Sequence, residues 1–362
     1  MKILQVCSAE GIGGGEQHVI DLTRGLLQRG HELHLAVRPN SPLQMEFGDA
    51  PIHWHEVKLR NALDVFSAKR LSKLITEHKI EVVHAHLARD YPVTGLATKN
   101  LSVRFFLTRH HFNPIKSSSL YEASIRHAIK LIAVSETVRQ ELAKAFPALQ
   151  DHIEIIPNWL RFATLLSRTE ARKYFDIKRP TAIAVIGQIT PLKRQDLFLE
   201  AIRLLAANQA SENVEFFIIG AAHPADKNYE QKLHQTAQEM GIESQVKFTG
   251  FLPDLPKYLT AFDAIVAPSD NEGFSLIAIE AMHAGCAVLA SEVGGLAEII
   301  THNETGILFP PGQAEIIARH LRFLLSDSST RTQITTAAQA SVRERFAREH
   351  ILDQIEALYR SA

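Results

Sequence analysis

The sequence predicts an α/β protein built from two domains, each a doubly wound parallel sheet covered by helices on both faces. Short apolar runs rich in Val and Ile alternate with longer segments of helical periodicity, which is typical of buried parallel strands. The same alternation restarts in the second half of the chain. A length of 362 residues also favours two domains over one.

The first half predicts an open sheet with amphipathic helices between its strands. Since the apolar runs are short and continuous, both faces of this sheet should be covered. The helices that fit between the strands include Glu16–Gln28, Asp64–His78 and Glu136–Ala145. The strands are predicted at Lys2–Cys7, Glu32–Val37, Glu81–His86, Val103–Thr108, Lys130–Ser135 and Glu154–Pro157.

The second half repeats this order of elements. No strand fits residues 158–179, so we expect the crossing there, with one domain at residues 1–165 and the other at 166–344. A terminal helix is expected within residues 345–362, and its periodicity leaves open whether it packs back on the first domain. The strands are predicted at Thr181–Ile186, Glu215–Gly220, Gln245–Phe248, Ala264–Ala267 and Ala287–Ala290, with helices at Asp196–Ala207 and Lys227–Met240.

The composition excludes several classes of protein. With 46% apolar and 22% charged residues, the chain can bury sizeable cores, which excludes wholesale disorder. Lys and Arg number 39 against 40 Asp and Glu, which excludes a nucleic-acid partner held by general charge attraction. Cys7 and Cys286 lie in apolar runs and are expected as buried thiols. We expect a cytoplasmic protein, because no apolar run matches a signal peptide or a membrane span.

A glycine-rich turn follows the first predicted strand and leads into a helix. Residues 9–16 read Ala-Glu-Gly-Ile-Gly-Gly-Gly-Glu, and bare amides at a helix start attract anions. The turn could therefore hold a phosphate or a sugar. The dinucleotide fingerprint requires a third glycine where Glu16 stands, and its carboxylate would oppose a pyrophosphate. A tight turn without a ligand remains the alternative.

Four histidines lie near the carboxyl ends of two predicted strands. His84 and His86 alternate on one strand and therefore share a face, while His110 and His111 end the next strand. Open α/β sheets bind their ligands at this edge. A zinc or iron site with Asp90 is one alternative, and hydrogen-bonded core histidines are another. We favour His110 as the functional one.

The segment from residue 267 to residue 285 carries the most specific pattern. It follows a strand and opens a helix, with Glu272 in the loop and Glu280 eight residues later in the helix. The amides of residues 274–276 are helix-start donors suited to a diphosphate, and Ser275 adds a hydroxyl. One carboxylate could bind sugar hydroxyls and the other ribose hydroxyls. The alternative is a buried structural carboxylate at Glu280 and a helix-start anion at Glu272.

A second strand-to-helix junction carries cations. Lys193 and Arg194 follow Gly187 after a short loop. A cation there can neutralise a phosphate, and its attraction to the phosphate increases as negative charge develops on a leaving group. A solvated Lys–Arg pair is the alternative. Together, the two junctions of the second half predict a site for a nucleotide-sugar.

With these residues in view, the sequence resembles the retaining glycosyltransferases of family 4, from residue 1 to about residue 315. The resemblance implies the GT-B fold, in which two Rossmann-like domains face each other across a cleft. Each motif that carries the resemblance is weak evidence by itself, but the motifs occur together in the order and spacing of the family. They are Gly13–Glu16, Val82–His86, Thr108–His110, Ala133–Ser135, Ile156–Asn158, Lys193, Glu272–Gly285, Glu292–Glu298 and Glu304–Gly306.

The resemblance also implies an activity: transfer of a hexose from a nucleoside diphosphate sugar to a hydroxyl of a glycan, lipid-linked or small-molecule acceptor, as in polysaccharide or glycolipid biosynthesis. The anomeric configuration is kept, and no metal or other cofactor is required. UDP is the favoured nucleotide and GDP the second. The implied catalytic residues are His110, Lys193 and Glu272, and the implied substrate-binding residues are Gly14, Gly15, Glu16, Arg194, Phe274, Ser275, Leu276 and Glu280.

The sequence departs from the family pattern at one site residue. Many members carry Arg directly after the glycine that is Gly187 here, and this chain has Gln188. The lost charge-assisted hydrogen bond is worth about 1.5–3 kcal/mol, so Arg194 is expected to compensate.

Three other interpretations stay open. A UDP-N-acetylglucosamine 2-epimerase shares the expected fold, as do the glycogen-type phosphorylases, although no lysine that would anchor pyridoxal phosphate can be located. A non-catalytic nucleotide-sugar binding protein would also fit the loss of Arg after Gly187. Finally, residues 99–145 carry eight Lys or Arg against three Glu, together with Phe105, Phe106, Phe112 and Tyr121, which suggests peripheral contact with the inner face of a membrane.

Overall fold

The chain folds around two parallel β-sheets, which the computed structural model describes at residues 1–61, 64–115, 118–161 and 164–361. Met1–Trp159 and Arg348–Ala362 form the first unit, and Leu160–Ala347 form the second. Two Rossmann-like α/β domains were predicted, and this fold class is confirmed. Parts of the predicted crossing (162 and 163) and of the basic segment (116 and 117) lie outside the described residues.

The sheet of the first unit runs in the order β3-β2-β1-β4-β5-β6-β7, and all neighbouring strands are parallel. Its strands are β1 (Lys2–Cys7), β2 (Glu32–Val37), β3 (Ile52–Glu56), β4 (Val82–Ala85), β5 (Arg104–Arg109), β6 (Lys130–Ala133) and β7 (Ile153–Ile155). Its first helices are α1 (Gly14–Gln28), α2 (Val65–His78), α3 (Tyr91–Thr98), α4 (Ser119–Ile125) and α5 (Glu136–Ala145).

The sheet of the second unit runs in the order β10-β9-β8-β11-β12-β13, again with parallel neighbours. Its strands are β8 (Thr181–Ile186), β9 (Val214–Ile219), β10 (Val246–Gly250), β11 (Ala264–Ala267), β12 (Ala287–Ser291) and β13 (Ile307–Phe309). Its helices are α6 (Arg168–Tyr174), α7 (Gln195–Ala206), α8 (Lys227–Glu239), α9 (Leu276–His283), α10 (Gly294–Ile299), α11 (Ala314–Ser326) and α12 (Ser328–Arg345).

Polar caps fix several helix starts at positions that the sequence pattern indicates. Asp64 accepts a hydrogen bond from the Ser67 N–H at 3.0 Å and begins α2, and Ser135 accepts one from the Val138 N–H at 3.2 Å and begins α5. Short 3₁₀ helices occur at Pro42–Glu46, Pro147–His152, Pro191–Lys193, Pro224–Asp226 and Leu255–Ala261.

The last helix, α13 (Arg348–Arg360), packs within the first unit. Leu352 and Tyr359 are buried in the core formed by β1, β2 and α1. A Cβ on Gly25 would lie 2.7 Å from the Leu352 side chain, so the absence of a side chain at Gly25 allows α13 to approach α1 closely. The Arg29 guanidinium adds an ion pair with Asp353 at 2.7 Å. The end of the chain therefore completes the core that its first residues begin.

The second unit begins at Leu160, whereas the sequence was divided at residue 165. Leu160 is fully buried in the core of the second unit, and its N–H donates to the Phe346 carbonyl at 2.9 Å. The packing of this side chain places Leu160 with the second unit. Cys7 and Cys286 are buried, free thiols.

Candidate active site

Two loops of the second unit leave its sheet where the strand order reverses. β8 lies between β9 and β11, so the loops after β8 and β11 flank this switch point, where ligands bind in open α/β sheets. The first loop carries Lys193 and the second carries Glu272. The Lys193 ammonium forms an ion pair with the Glu272 carboxylate, and both side chains are partly buried. The structure therefore brings these two predicted catalytic residues into direct contact.

Main-chain contacts hold these two loops in place. The Asp270 N–H donates to the Leu192 carbonyl at 2.9 Å and ties one loop to the other. The Gly295 N–H donates to the Glu272 carbonyl, also at 2.9 Å. A Cβ on Gly294, where φ is +46°, would lie 2.1 Å from that same carbonyl oxygen. The position of Glu272 therefore depends on the absence of a side chain at residue 294.

The start of α9 offers main-chain donors directly after Glu272 in the chain. Ser275 is the N-cap, and its hydroxyl accepts from the Ala278 N–H at 3.4 Å. Among the described residues, no group accepts a hydrogen bond from the amides of Phe274, Ser275 or Leu276. Free amides at a helix start attract anions, and Lys193 adds a positive charge. This arrangement has the chemistry of a phosphate site.

Glu280 lies in α9 and is buried, with 4% of its surface exposed. The Arg161 Nε donates to one of its carboxylate oxygens at 2.6 Å. The sequence left a ribose contact and a structural carboxylate as alternatives for Glu280. Its burial and its ion pair with Arg161 fit the structural role, and a ribose would share the carboxylate with Arg161.

Arg194 does not provide the free cation that was expected to compensate for Gln188. Its guanidinium contacts the Asp196 carboxylate at 3.0 Å and the Asp270 carboxylate at 2.9 Å. Hydrogen bonds to these two carboxylates raise the pKa of Arg194. A phosphate would have to displace a carboxylate to reach this side chain. In the structure, Arg194 instead joins the start of α7 to the loop that precedes Glu272.

In the first unit, the glycine-rich turn begins α1 at the corresponding switch point, between β1 and β4. Gly14 is the first residue of α1, and the Gly13 N–H donates to a Glu16 carboxylate oxygen at 2.9 Å. A Cβ on Gly15 would lie 3.4 Å from the His110 ring. Because Glu16 already places a carboxylate at the start of α1, this turn suits sugar hydroxyls better than a phosphate.

Three buried imidazoles lie close to this turn. The His110 ring centroid is 4.7 Å from that of His18 and 5.9 Å from that of His86. Burial lowers the pKa of His18 to about 3 and lowers the pKa of His86 and His110 well below the usual range, so all three rings are neutral at pH 7. Within the described part of the chain, neither ring nitrogen of His110 has a hydrogen-bond partner. His110 therefore has one buried donor and one buried acceptor without a protein partner.

The neighbouring histidines are more fully engaged. The His84 Nδ1 is 2.6 Å from the Tyr359 hydroxyl, and its Nε2 is 2.7 Å from the Thr108 hydroxyl. The His86 Nε2 is 2.6 Å from the Gln5 side-chain oxygen. His84 is therefore a hydrogen-bonded core residue, which was one of the alternatives for this group.

The possible metal ligands that converge in the structure differ from those that the sequence suggested. Ligand nitrogens of His18, His86 and His110 lie within 4.8 Å of one another. Asp90, the expected carboxylate ligand, accepts a hydrogen bond from the Ser8 N–H at 2.9 Å and is not part of that group. Burial raises the pKa of Asp90 to about 6. His111 lies near the start of the loop after β5 and is exposed.

Sequence reasoning missed His18 and Arg161. His18 lies on the buried face of α1 together with Val19 and Leu22, and a histidine among apolar positions of a helix is the signal that could have identified it. Arg161 gave no such signal, because its partner Glu280 is 119 residues away in the chain.

A surface cavity of about 440 Å³ lies at the carboxyl ends of β1, β2 and β3 in the first unit. Arg38, Lys58 and Arg60 line it, together with Glu10, which forms an ion pair with Arg38. The cavity therefore carries an excess of positive charge, which suits a ligand with a phosphate or carboxylate group.

The basic segment at residues 99–145 offers fewer aromatic contacts than its composition suggests. Phe105 and Phe106 are fully buried in β5, whereas Leu120 is 74% exposed. No helix among the described residues is both long and apolar enough to span a membrane.

Two Rossmann-like domains, each with its candidate site at the switch point of its sheet, are the fold class of the GT-B glycosyltransferases, which other proteins share. The family models identify the class. Residues 12–161 match the model described as Glycosyltransferase Family 4, and residues 167–341 match the model described as Glycosyl transferases group 1. The chain belongs to glycosyltransferase family 4.

Individual relatives are distant but match along most of the chain. The N-acetyl-alpha-D-glucosaminyl L-malate synthase of Bacillus anthracis is 23% identical, over 96% of this chain and 94% of that protein. A D-inositol 3-phosphate glycosyltransferase of Geodermatophilus obscurus is 26% identical, over 97% of this chain and 85% of that protein. The structure of Anabaena HepE in complex with UDP has a TM-score of 0.88 at 21% identity, with both chains fully covered, and this likeness shows the fold.

Proposed function

We propose that this glycosyltransferase moves a hexose from a nucleoside diphosphate sugar to an acceptor hydroxyl and keeps the anomeric configuration. The bond between the anomeric carbon and the diphosphate breaks, and a bond between that carbon and the acceptor oxygen forms. The acceptor hydroxyl loses its proton, and the nucleoside diphosphate leaves. Charge develops on the departing diphosphate, so groups that meet this charge accelerate the step.

One observation carries this proposal: Lys193 and Glu272 meet next to free amides at the start of α9. Lys193 and the amides of residues 274–276 bind the diphosphate, and the Ser275 hydroxyl lies at the same helix start. Once the phosphates draw the Lys193 ammonium toward them, the Glu272 carboxylate is free to bind hydroxyls of the sugar. Lys193 and helix-start amides supply positive charge without a metal, so we propose transfer that needs no metal cofactor.

Groups of the first unit contact the sugar. His110 is neutral and has both nitrogens free, so it can donate one hydrogen bond to a sugar hydroxyl and accept another. Gly14 and Gly15 carry no side chain at the start of α1, and the Glu16 carboxylate, which accepts from the Gly13 N–H, can also accept from a sugar hydroxyl. These contacts orient the anomeric carbon for attack.

The nucleotide binds the second unit. Phe251 follows β10 and is 72% exposed, so its ring is available to stack on the base. Glu280, whose carboxylate accepts from Arg161, is the proposed contact of the ribose hydroxyls. UDP is the favoured nucleotide, and the structures of Anabaena HepE with UDP and with UDP-glucose support this choice. GDP is the second choice.

The acceptor binds the first unit, and an anionic small molecule or lipid-linked sugar fits its cavity. Arg38, Lys58 and Arg60 would hold a phosphate or a carboxylate of that acceptor. The names of two relatives, which act on L-malate and on D-inositol 3-phosphate, support an anionic acceptor. We also propose a cytoplasmic enzyme whose residues 99–145 reach a membrane surface when the acceptor is lipid-linked.

The proposal is tested by incubating the enzyme with UDP-, GDP- and ADP-hexoses, each with anionic and neutral hydroxyl acceptors. We expect a glycoside whose anomeric configuration, measured by NMR, equals that of the donor. An inverted product would contradict retention. An isomerised donor formed without acceptor would indicate an epimerase, and saturable nucleotide binding without any product would indicate a binding protein.

A further inference from the structure

A second cluster of histidines lies away from the candidate active site, on the two outer strands of the first sheet. His34 is paired with His53 across β2 and β3, and Ala36 is paired with His55. Side chains of a strand alternate between its faces, so Glu32 shares one face with these histidines. Glu32 is the first residue of β2, which puts the cluster toward the amino ends of the strands, whereas the active-site loops follow their carboxyl ends.

The ligand atoms of this cluster converge. The His34 Nε2 is 3.1 Å from a Glu32 carboxylate oxygen, and the His53 Nε2 is 3.9 Å from the same oxygen. All three residues offer ligand atoms within 4.8 Å of one another. A tetrahedral ion with bonds of about 2.1 Å holds its ligand atoms about 3.4 Å apart, so small shifts of the half-exposed side chains are sufficient.

A further histidine orients the buried member of this group. The His34 side chain is fully buried, and its Nδ1 is 2.9 Å from the His55 Nε2. When the His34 Nδ1–H donates to His55, the lone pair of the His34 Nε2 points toward Glu32. Ligand histidines commonly hold their other nitrogen in this way. His78, in the last turn of α2, packs against both rings with centroids 4.9 Å away.

Positive charge now occupies one side of the cluster. The Lys2 ammonium is 3.1 Å from a Glu32 carboxylate oxygen. Both side chains are about 40% exposed, so Lys2 can turn to solvent when a dication takes its place. Arg70 adds positive charge near His55.

We propose that Glu32, His34 and His53 bind a divalent ion of the zinc type, with water completing its coordination. Imidazole nitrogens with one carboxylate are ligands that Zn²⁺ prefers. The ion would join the edge strand β3 to β2, and this role is structural. It is independent of the transfer chemistry, which uses other residues in both units.

The proposal is tested with the full chain, free of any histidine tag, after treatment with a chelator. Co²⁺ alone is titrated and followed by its visible absorption, and Zn²⁺ is then added. We expect one equivalent of Co²⁺ with a tetrahedral spectrum, which Zn²⁺ displaces. Zn²⁺ should also raise the thermal midpoint of unfolding. The absence of saturable binding would overturn the proposal.

Variants locate the ion. Glu32 and His53 are partly exposed, so Glu32→Gln combined with His53→Gln should leave the fold intact and weaken Co²⁺ binding at least 100-fold. His55→Phe removes a group that only orients a ligand, so it should weaken binding about 10- to 100-fold without changing the stoichiometry. His350→Gln, at an exposed histidine of α13, is the matched control and should bind as wild type.

The other imidazole group, formed by His18, His86 and His110, requires a separate control. His86→Gln should keep Co²⁺ binding. If His86→Gln abolishes binding while the Glu32→Gln, His53→Gln double variant retains it, the ion lies in the other group and the proposal is wrong. Because transfer activity is measured separately, failure of the metal site does not bear on the proposed function.

Discussion

The two units have the same architecture but different charged and polar groups at their switch points. In the second unit a charged pair, Lys193 and Glu272, lies beside free amides at a helix start. In the first unit the same position carries a buried, neutral His110 with two free ring nitrogens and a helix start already capped by Glu16. A parallel sheet therefore determines where a ligand binds, and the residues after its central strands determine whether that ligand is an anion or a neutral sugar.

The largest effect should follow from removing the charged pair of the second unit. Lys193→Ala or Glu272→Ala should lower kcat about 10²- to 10³-fold, because the charge on the leaving diphosphate or the alignment of the sugar is then unsupported. Initial rates of transfer measure this effect. Lys178→Ala, which removes an exposed cation paired with Asp176 in the same unit, is the control and should retain activity.

A charge-reversed variant separates chemistry from structure. Lys193→Glu combined with Glu272→Lys restores the ion pair with its charges exchanged, so the thermal midpoint should stay near that of the wild type. Activity should remain lost, because the ammonium then sits on the other loop. Recovered activity in this double variant would mean that the pair only holds the two loops together.

The next effect distinguishes two adjacent histidines of the first unit. His110→Phe removes no hydrogen bond of the ligand-free protein, so the free energy of unfolding should change little while kcat falls about 100-fold. His84→Phe leaves the hydroxyls of Tyr359 and Thr108 without their partner, so the free energy of unfolding should fall by about 2–4 kcal/mol. Denaturant titration and initial rates measure both quantities.

The opposite pattern would break the comparison between the units. If His110→Phe lost stability and kept activity per folded molecule, His110 would be a core residue like His84. The first unit would then contribute packing at its switch point, and recognition of the donor would rest on the second unit.

Sequence reasoning predicted most of the fold because the buried strands are short apolar runs. β1 and β8, which precede the two sites, were predicted with the observed bounds. β3 was missed, since its sequence of His, Trp and His has no Val or Ile run and it forms a half-exposed edge. β13, a strand of three residues, was also missed. Periodicity identifies buried elements and gives little signal at the edges of a sheet.

The candidate site was predictable to the extent that its residues lie near glycine-rich turns and helix starts. The contact between Lys193 and Glu272 joins two loops 79 residues apart, and only the parallel order of β8 and β11 predicts their proximity. The pairing of Arg194 with Asp196 and Asp270 was not predictable, because the sequence shows which charges exist but not which of them neutralise each other in the folded chain.

Acid should destabilise the first unit more than the second. Buried His18, His86 and His110 have lowered pKa values, so the unfolded chain binds more protons below pH 6.5 and stability falls as the pH drops. Each such imidazole contributes up to about 1.4 kcal/mol per pH unit below 6.5. In the second unit, His283 and His320 have lowered pKa values but are only partly buried.

Hydrogen exchange, read unit by unit at pH 8 and pH 5, measures this difference. Between pH 8 and pH 5, the amides of β1 and β4 should lose more protection than the amides of β8 and β11. Equal loss in both units would show that the buried imidazoles are not the acid-sensitive groups.

The smallest effect concerns Asp90, whose titration opposes that of the histidines in the same unit. Burial has the largest influence on the pKa of Asp90 and raises it to about 6. Hydrogen bonds from Ser8 and the charge of Arg89 act in the other direction and lower this pKa. The folded protein therefore binds more protons than the unfolded chain between about pH 4 and pH 6, and Asp90 makes the protein less stable as the pH rises through this window. Well above pH 6 Asp90 is charged in both the folded and the unfolded chain, so its destabilising effect no longer changes with pH.

Asp90→Asn removes this charge and keeps the shape and the acceptor oxygen that the Ser8 N–H requires. The variant should be more stable than wild type at pH 8 by up to about 3 kcal/mol, and the difference should vanish near pH 4. Denaturant titrations at pH 8, 6 and 4 measure it, with Asp49→Asn at an exposed carboxylate as the control. A less stable Asp90→Asn at pH 8 would mean that attraction to Arg89 outweighs desolvation, and the charge of Asp90 would then stabilise the first unit.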